Sequence, residues 1–174
     1  LAPAAPILAT RRRYLDKTLI LETEYDTAEG TVAILDFMPV RSGQPDLVRR
    51  VVGRRGRVAM RCEIVVRFDY GALVPWVRRE GNGIAAIAGP EVLHLRSDVP
   101  LRGENLKTVG DFTVSEGQTI SFDLTWHPSH TSAPQPIDVE QAFQCTQAWW
   151  RDWSNRCTYQ GEWQEAVLRS LITL

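Results

Sequence analysis

Lysine is scarce in this chain: of 20 basic side chains among 174 residues, 18 are arginine and only Lys17 and Lys107 are lysine. Cysteine is scarce too. Cys62, Cys145 and Cys157 are odd in number, widely spaced and free of any CxxC pair, which excludes a disulfide framework and a zinc knuckle. Histidine is limited to His94, His127 and His130 without an HExxH pattern, so neither a metal site nor a cofactor is expected. Long hydrophobic runs are missing: the best, residues 84–88, falls far short of the roughly 18–20 residues a membrane helix needs. No membrane partner is expected. Net charge of one sign is also lacking, the formal total being −1. Residues 1–97 carry 15 basic and 11 acidic groups and residues 98–174 carry 5 and 10, a balance that argues against a nucleic-acid partner. Residues 1–10 are rich in alanine and proline and have no secretory-signal pattern, which with reduced thiols points to the cytoplasm. An initiator methionine is absent, and the chain is expected to be a fragment of a longer protein.

What is present is the composition of an ordinary globular domain, 44% apolar and 24% charged. From residue 18 to 126 short alternating runs are separated by Gly, Pro, Asn and Asp, the pattern of an antiparallel all-β domain. Val58, Met60, Cys62, Ile64, Val66 and Phe68 share one strand face, and Ile120, Phe122, Leu124 and Trp126 share another. Residues 19–25 and 31–38 flank a loop whose Gly30 is expected to supply the positive φ of a β-hairpin. Gly81-Asn82-Gly83 and Gly89-Pro90 mark two more turns.

After Pro128 the chain passes through a linker containing Pro134 and Pro136, and the apolar period changes from two to three and four. Asp138 with Gln141 three residues on is a capping-box signature, predicting a helix over about 139–153. A second helix is predicted from about Glu162, with Trp163, Ala166, Val167, Leu171 and Leu174 on one stripe. Trp149, Trp150, Trp153 and Trp163 hold more aromatic surface than two helices cover alone, so they are expected to meet the β-domain or a further partner.

Gly81-Asn82-Gly83-Ile84-Ala85-Ala86 formally matches a dinucleotide fingerprint, but Gly89-Pro90 leaves no room for the required helix, and an Asn-Gly hairpin turn is preferred. His127 and His130 read as solvated loop histidines, His94 as an ordinary sheet residue, and all three thiols as packing groups. The arginines between Arg49 and Arg67 lack interleaved aromatics for base stacking and read as a solvated or salt-bridged strand face. Arg67-Phe68-Asp69-Tyr70-Gly71 followed by Val74-Pro75-Trp76-Val77 has two readings. It is either a strand end with a buried tryptophan or a sugar-lining loop with Arg67, Asp69, Tyr70 and Trp76 as substrate contacts.

Whole strings add a resemblance. Thr18-Leu19-Ile20-Leu21-Glu22-Thr23, Asp36-Phe37-Met38-Pro39, Arg67-Phe68-Asp69-Tyr70-Gly71 and Leu95-Arg96-Ser97-Asp98-Val99-Pro100-Leu101 occur in this order. Trp149-Trp150-Arg151-Asp152-Trp153-Ser154, Cys157-Thr158-Tyr159 and Ala166-Val167-Leu168-Arg169-Ser170 follow. Together they resemble bacterial family-15 glycoside hydrolases, the glucoamylase and trehalase-like enzymes. The resemblance implies an antiparallel, supersandwich-like β-sandwich over residues 1–136, a helical linker over 137–160 and the opening helix of an (α/α)₆ catalytic barrel over 161–174. It implies inverting hydrolysis of trehalose or short α-glucans by two barrel carboxylates, neither of which has a counterpart here. No catalytic residue is therefore assigned, and the fragment alone is expected to be inactive. Its expected partners are its own barrel, through Trp149, Trp150, Trp153 and Trp163, and an α-glucoside. Exposed barrel-core positions such as Val167 and Leu171 would favour self-association, each being worth roughly 1.5–3 kcal/mol when buried. The alternative is a free-standing carbohydrate-binding β-sandwich.

Overall fold

Residues that alternate between apolar and polar settle as strands, because one face of the pleat is buried while the other is solvated. The computed structural model describes residues 1–40, 43 and 45–173. Among the described residues there are eleven strands: β1 (Ala2–Pro3), β2 (Ala9–Tyr14), β3 (Leu21–Thr27), β4 (Gly30–Phe37), β5 (Asp46–Ile64), β6 (Trp76–Glu80), β7 (Gly83–Ala88), β8 (Glu91–Ser97), β9 (Arg102–Glu104), β10 (Lys107–Ser115) and β11 (Thr119–Pro128). Two helices follow, α1 (Val139–Ser154) and α2 (Gln164–Thr173). The fold is an all-β antiparallel sandwich with helices at the C-terminal end. No helix among the described residues is long and apolar enough to cross a membrane.

The larger sheet has the order β2-β3-β4-β5-β11-β8-β7-β6. The smaller joins β1, β10 and β9 to the second half of β5. β5 therefore belongs to both: its first half pairs with β4 and β11, and residues 57–64 pair with β10. A strand that changes sheets must bend, and the register shift between Thr31 and Val32 marks the place. Gly30 and Gly56 lie opposite each other there. A Cβ on Gly30 would fall 2.2 Å from the Arg55 carbonyl oxygen, and one on Gly56 would fall 2.3 Å from that of Glu29. The expected hairpin is present, but it is Gly56, not Gly30, that has the positive φ (66°), and Gly30 serves close backbone approach. In the β6–β7 hairpin, likewise, Gly81 at φ 57° opens a Gly81-Asn82 loop while Gly83 begins β7, so no nucleotide-binding helix follows.

Alternation then explains both layers of the core. Val32, Ile34 and Val51 from the larger sheet meet Val58, Met60 and Val114 from the smaller, all buried. Val66 and Phe68 lie beyond the end of β5, so the predicted strand face is shorter at that end. On the opposite face of the larger sheet, Ile20, Phe37 and Val48 pack against Ile137, Val139, Ala142 and Phe143, which seats α1 on the sandwich. Asp138 caps that helix, its side chain accepting from the Gln141 backbone N–H at 3.0 Å. Arg50 lies over the Phe143 ring, 4.6 Å from its centroid, and pairs with Glu140.

α2 turns a different face inward from the one predicted. Ile172 is buried and Leu168 half-buried; of the predicted stripe only Val167 is half-buried, whereas Trp163, Ala166 and Leu171 are exposed, and Leu174 lies outside the described residues. On the inward face Arg169 donates to the Thr18 carbonyl at 2.9 Å and lies over the Tyr14 ring at 4.5 Å, tying the helix to the sandwich in this rotation. On α1 the tryptophans pack on one another: Trp149 and Trp150 meet edge to face at 4.8 Å, and Trp150 and Trp153 at 6.1 Å. Trp149 stays exposed.

The arginine cluster is a salt-bridged face, as the sequence pattern suggests. Arg49 pairs with Asp36, Arg54 with Glu22 and Arg61 with Asp111. Thiol positions are mixed: Cys62 is buried, and that burial pushes its pKa up, while Cys157 is half-buried. Cys145 is exposed on α1, so packing is not its role.

Candidate functional site

A groove lies between β6, the end strand of the larger sheet, and the β9–β10 hairpin of the smaller, and among the described residues no strand pairs with both. Ile64, Val66 and Ile84 form an apolar floor to this groove, whose volume is about 340 Å³. Val74, Pro75 and Trp76, next to and in β6, line it together with residues 103–108 of the β9–β10 hairpin.

The first of these segments depends on how the chain leaves β5. Phe68 is buried and exchanges two backbone hydrogen bonds with Leu73, of 2.9 and 3.0 Å, closing a small loop. A 3₁₀ turn over Asp69–Gly71 fills it, with Asp69 and Tyr70 both left-handed at φ 49° and 51°. The β9–β10 hairpin repeats the device, with Asn105 at φ 50° and Leu106 at 60°. Left-handed backbone costs a non-glycine residue about 1–2 kcal/mol. Four of the five such residues described in the chain thus sit on the two turns beside this groove, and both turns present a large apolar side chain, Tyr70 and Leu106, to solvent.

Of the residues the sequence singled out, Arg67 and Trp76 line the groove, whereas Asp69 and Tyr70 sit on the adjoining turn and do not. Trp76 is 67% exposed, which corrects the reading of a buried tryptophan at a strand end. Sequence reasoning missed Glu104, Asn105, Leu106 and Lys107. The signal available for them was a polar Asn-containing turn between short runs, a hairpin cue that also tolerates left-handed backbone. Arg67 donates to the Val66 carbonyl at 2.6 Å, and Lys107 is held by Glu63 at 2.7 Å. Glu104 is loosely held, 3.5 Å from both Arg61 and Arg102. An exposed indole beside amide, carboxylate and guanidinium groups can stack and hydrogen-bond a small polar ligand; it offers no paired carboxylates on a common reacting atom. Among the described residues no group of three or more His, Cys, Asp or Glu converges to hold a metal ion.

A second polar cluster lies inside the large sheet, and it corrects the histidine reading. His127, at the end of β11, is 3% exposed, not solvated, and its ring meets that of His94 edge to edge, with the planes 15° apart and centroids 5.0 Å apart. Their Nε2 atoms are 2.9 Å apart. His94 Nδ1 is 2.8 Å from Glu80, and His127 Nδ1 is 2.8 Å from the Pro128 carbonyl oxygen. His130 is exposed. At the 2.9 Å between the Nε2 atoms one donates and the other accepts, which ties the tautomers of the two rings together.

Burial depresses the His94 pKa below its ordinary 6.5 despite Glu80, with His127 and Arg96 adding repulsion. Burial raises the Glu80 pKa, but hydrogen bonds from Arg78 and His94 outweigh it and leave Glu80 below 4.5. The unfolded chain takes up a proton at His94 near pH 6.5 before the folded chain does, so stability falls as pH drops through the folded value. The Glu80 contribution is present above pH 4.5 and is lost as pH falls through its own depressed value. Urea unfolding between pH 7.5 and 4 is expected to show decreasing stability, with a shallower slope in His94→Gln; a flat profile would contradict it.

No protein-family profile matches the chain. Its sequence is 28% identical over 135 residues to Trehalase 1 of Sulfolobus acidocaldarius, covering 76% of this chain and 22% of that protein. The chain is similar in sequence to one part of that trehalase. It spans about a fifth of that relative's length. Among solved structures, one described as a kojibiose phosphorylase from the human microbiome matches 98% of this chain and 25% of that chain, at a TM-score of 0.44 and 8% identity.

Proposed function

We propose that this chain is the noncatalytic β-sandwich portion of a family-15-type glycoside hydrolase that cleaves α-glucosidic bonds of trehalose or short α-glucans. The observation that carries this is the 28% identity to a trehalase over 135 residues. On this reading residues 1–136 are the sandwich, 137–160 the linker and 161–174 the first helix of a catalytic barrel. The general acid and general base lie in that barrel, placed for inversion on opposite sides of the scissile bond. The sandwich covers one side of the barrel. Exposed Trp149 and Trp163, with the half-buried Trp150 and Trp153 between them, form the surface that meets it. The Arg67 to Trp76 loop reaches toward the rim of its active site.

The test compares this chain with a protein extended through the following several hundred residues of its gene. Each is incubated with trehalose and with maltooligosaccharides, and released glucose is measured. Glucose from the extended protein alone is the expected result. Release by the short chain would overturn the placement of the carboxylates, and silence from both would remove the hydrolase reading. A second reading, a free-standing sugar-binding sandwich, is favoured by the exposed indole of Trp76 at the groove.

A further inference from the structure

We propose that the groove between β6 and the β9–β10 hairpin is a binding subsite for one or two α-linked glucose units, with Trp76 as the platform and the β9–β10 turn as a second contact surface. The proposal rests on the α-glucoside reading above for the identity of the sugar, and on this groove alone for its location.

Four observations converge on it. Trp76 is 67% exposed at the start of β6, the end strand of the larger sheet among the described residues. A pyranose presents C–H groups on its face, and the electron-rich face of an indole attracts them. Leu106, 73% exposed, lines the same groove as Trp76, so the groove offers apolar surface from two separate segments of the chain. Asn105, Glu104 and Arg67 supply donors and acceptors at the rim, the mixture that hydroxyl groups need. Consecutive left-handed residues occur at Asn105-Leu106, which line the groove, and at Asp69-Tyr70 in the adjoining turn, so backbone strain lies beside it.

Size and chemistry select the occupant. A groove of about 340 Å³ lies at the small end of the range for ligand pockets, large enough for a mono- or disaccharide. An amphipathic helix needs a longer, more uniformly apolar trough, and here residues 103–108 put Glu104, Asn105, Lys107 and Thr108 along one side. A peptide strand added to β6 would use the backbone of that edge and would be indifferent to the indole.

Isothermal titration and tryptophan fluorescence of the chain with glucose, trehalose, maltose and maltotriose test this directly. Saturable binding in the millimolar range is expected, weakened roughly tenfold or more by Trp76→Ala and only severalfold by Trp76→Phe. Asn105→Gly keeps the left-handed turn and removes the amide, so it is expected to weaken binding while far-UV circular dichroism stays unchanged. No saturation by any of the four sugars up to about 50 mM would overturn the subsite. Binding unaffected by Trp76→Ala and Asn105→Gly in folded variants would also overturn it. The hydrolase reading fails separately. Glucose release by the extended protein without sugar binding here leaves that reading standing and removes the groove, whereas binding without release does the reverse.

Discussion

Gly53→Ala is expected to lower stability by roughly 3 kcal/mol or more, the upper end of what overpacking costs. Gly53 is buried where β5 leaves the larger sheet for the smaller. A Cβ there would lie 2.0 Å from the Ser115 carbonyl oxygen and 2.6 Å from its carbon, backbone atoms that cannot swing aside as a side-chain tip can. Two hydrogen bonds fix the approach: Gly53 N–H donates to the Gln118 carbonyl at 2.9 Å, and Gly117 N–H donates to the Gly53 carbonyl at 3.0 Å. Relief requires the β10–β11 turn to move away, which strains the pairing of both strands with β5. Thermal unfolding is expected to shift down by on the order of 10 °C. Gly117→Ala is the informative comparison. It faces open space at φ 76°, so only conformational strain of about 1–2 kcal/mol applies. Equal, small shifts for both variants would show that the close approach at Gly53 is not a constraint.

Phe37→Ala is expected to cost about 3–5 kcal/mol and to loosen α1 from the sandwich. Phe37 is 3% exposed, on the sheet face away from the smaller sheet, and meets the edge of Phe143 at 5.5 Å. Truncation opens a cavity under α1 beside Ile20 and Val48. It also withdraws support from Phe143, over which Arg50 stacks. Hydrogen exchange of α1 amides is expected to accelerate more than that of β10, which contributes to the other core. Met38→Ala next door, at an exposed side chain, is expected to change stability by no more than about 0.5 kcal/mol. A uniform rise in exchange across the chain would instead mean that the two cores unfold as one unit.

These two sites differ in how far the sequence announces them. Phe37 falls in a mostly apolar run, so its place in a strand was legible; that α1, far along the chain, covers it was not. Gly53 stands among arginines and valines with no turn signal beside it, because a strand that changes sheets keeps the local pattern of a strand throughout. The histidines show the same limit. His127 follows a strand and precedes a serine- and proline-rich stretch, which reads as solvent-facing, yet cross-strand pairing places it opposite Val92 and beside His94. The candidate groove was half legible: Arg67 and Trp76 come from one segment that draws notice, and the second lining segment comes from residues 103–108, which do so only once the sheets are assembled.

Local chemistry by itself determined the class of the elements: period-two alternation made an antiparallel β domain, and the Asp138 cap with its period-3.6 residues started α1 where it begins. Those outcomes depend on neighbours within a few positions, where sterics and backbone hydrogen bonding act directly. Tertiary structure alone decided that β5 serves two sheets, that α2 rotates to place Ile172 and Arg169 against the sandwich, that two histidine rings meet at hydrogen-bond distance, and that Trp76 stands exposed on an edge strand. Each depends on groups tens of residues apart meeting within a few ångströms, and burial is a property of that meeting.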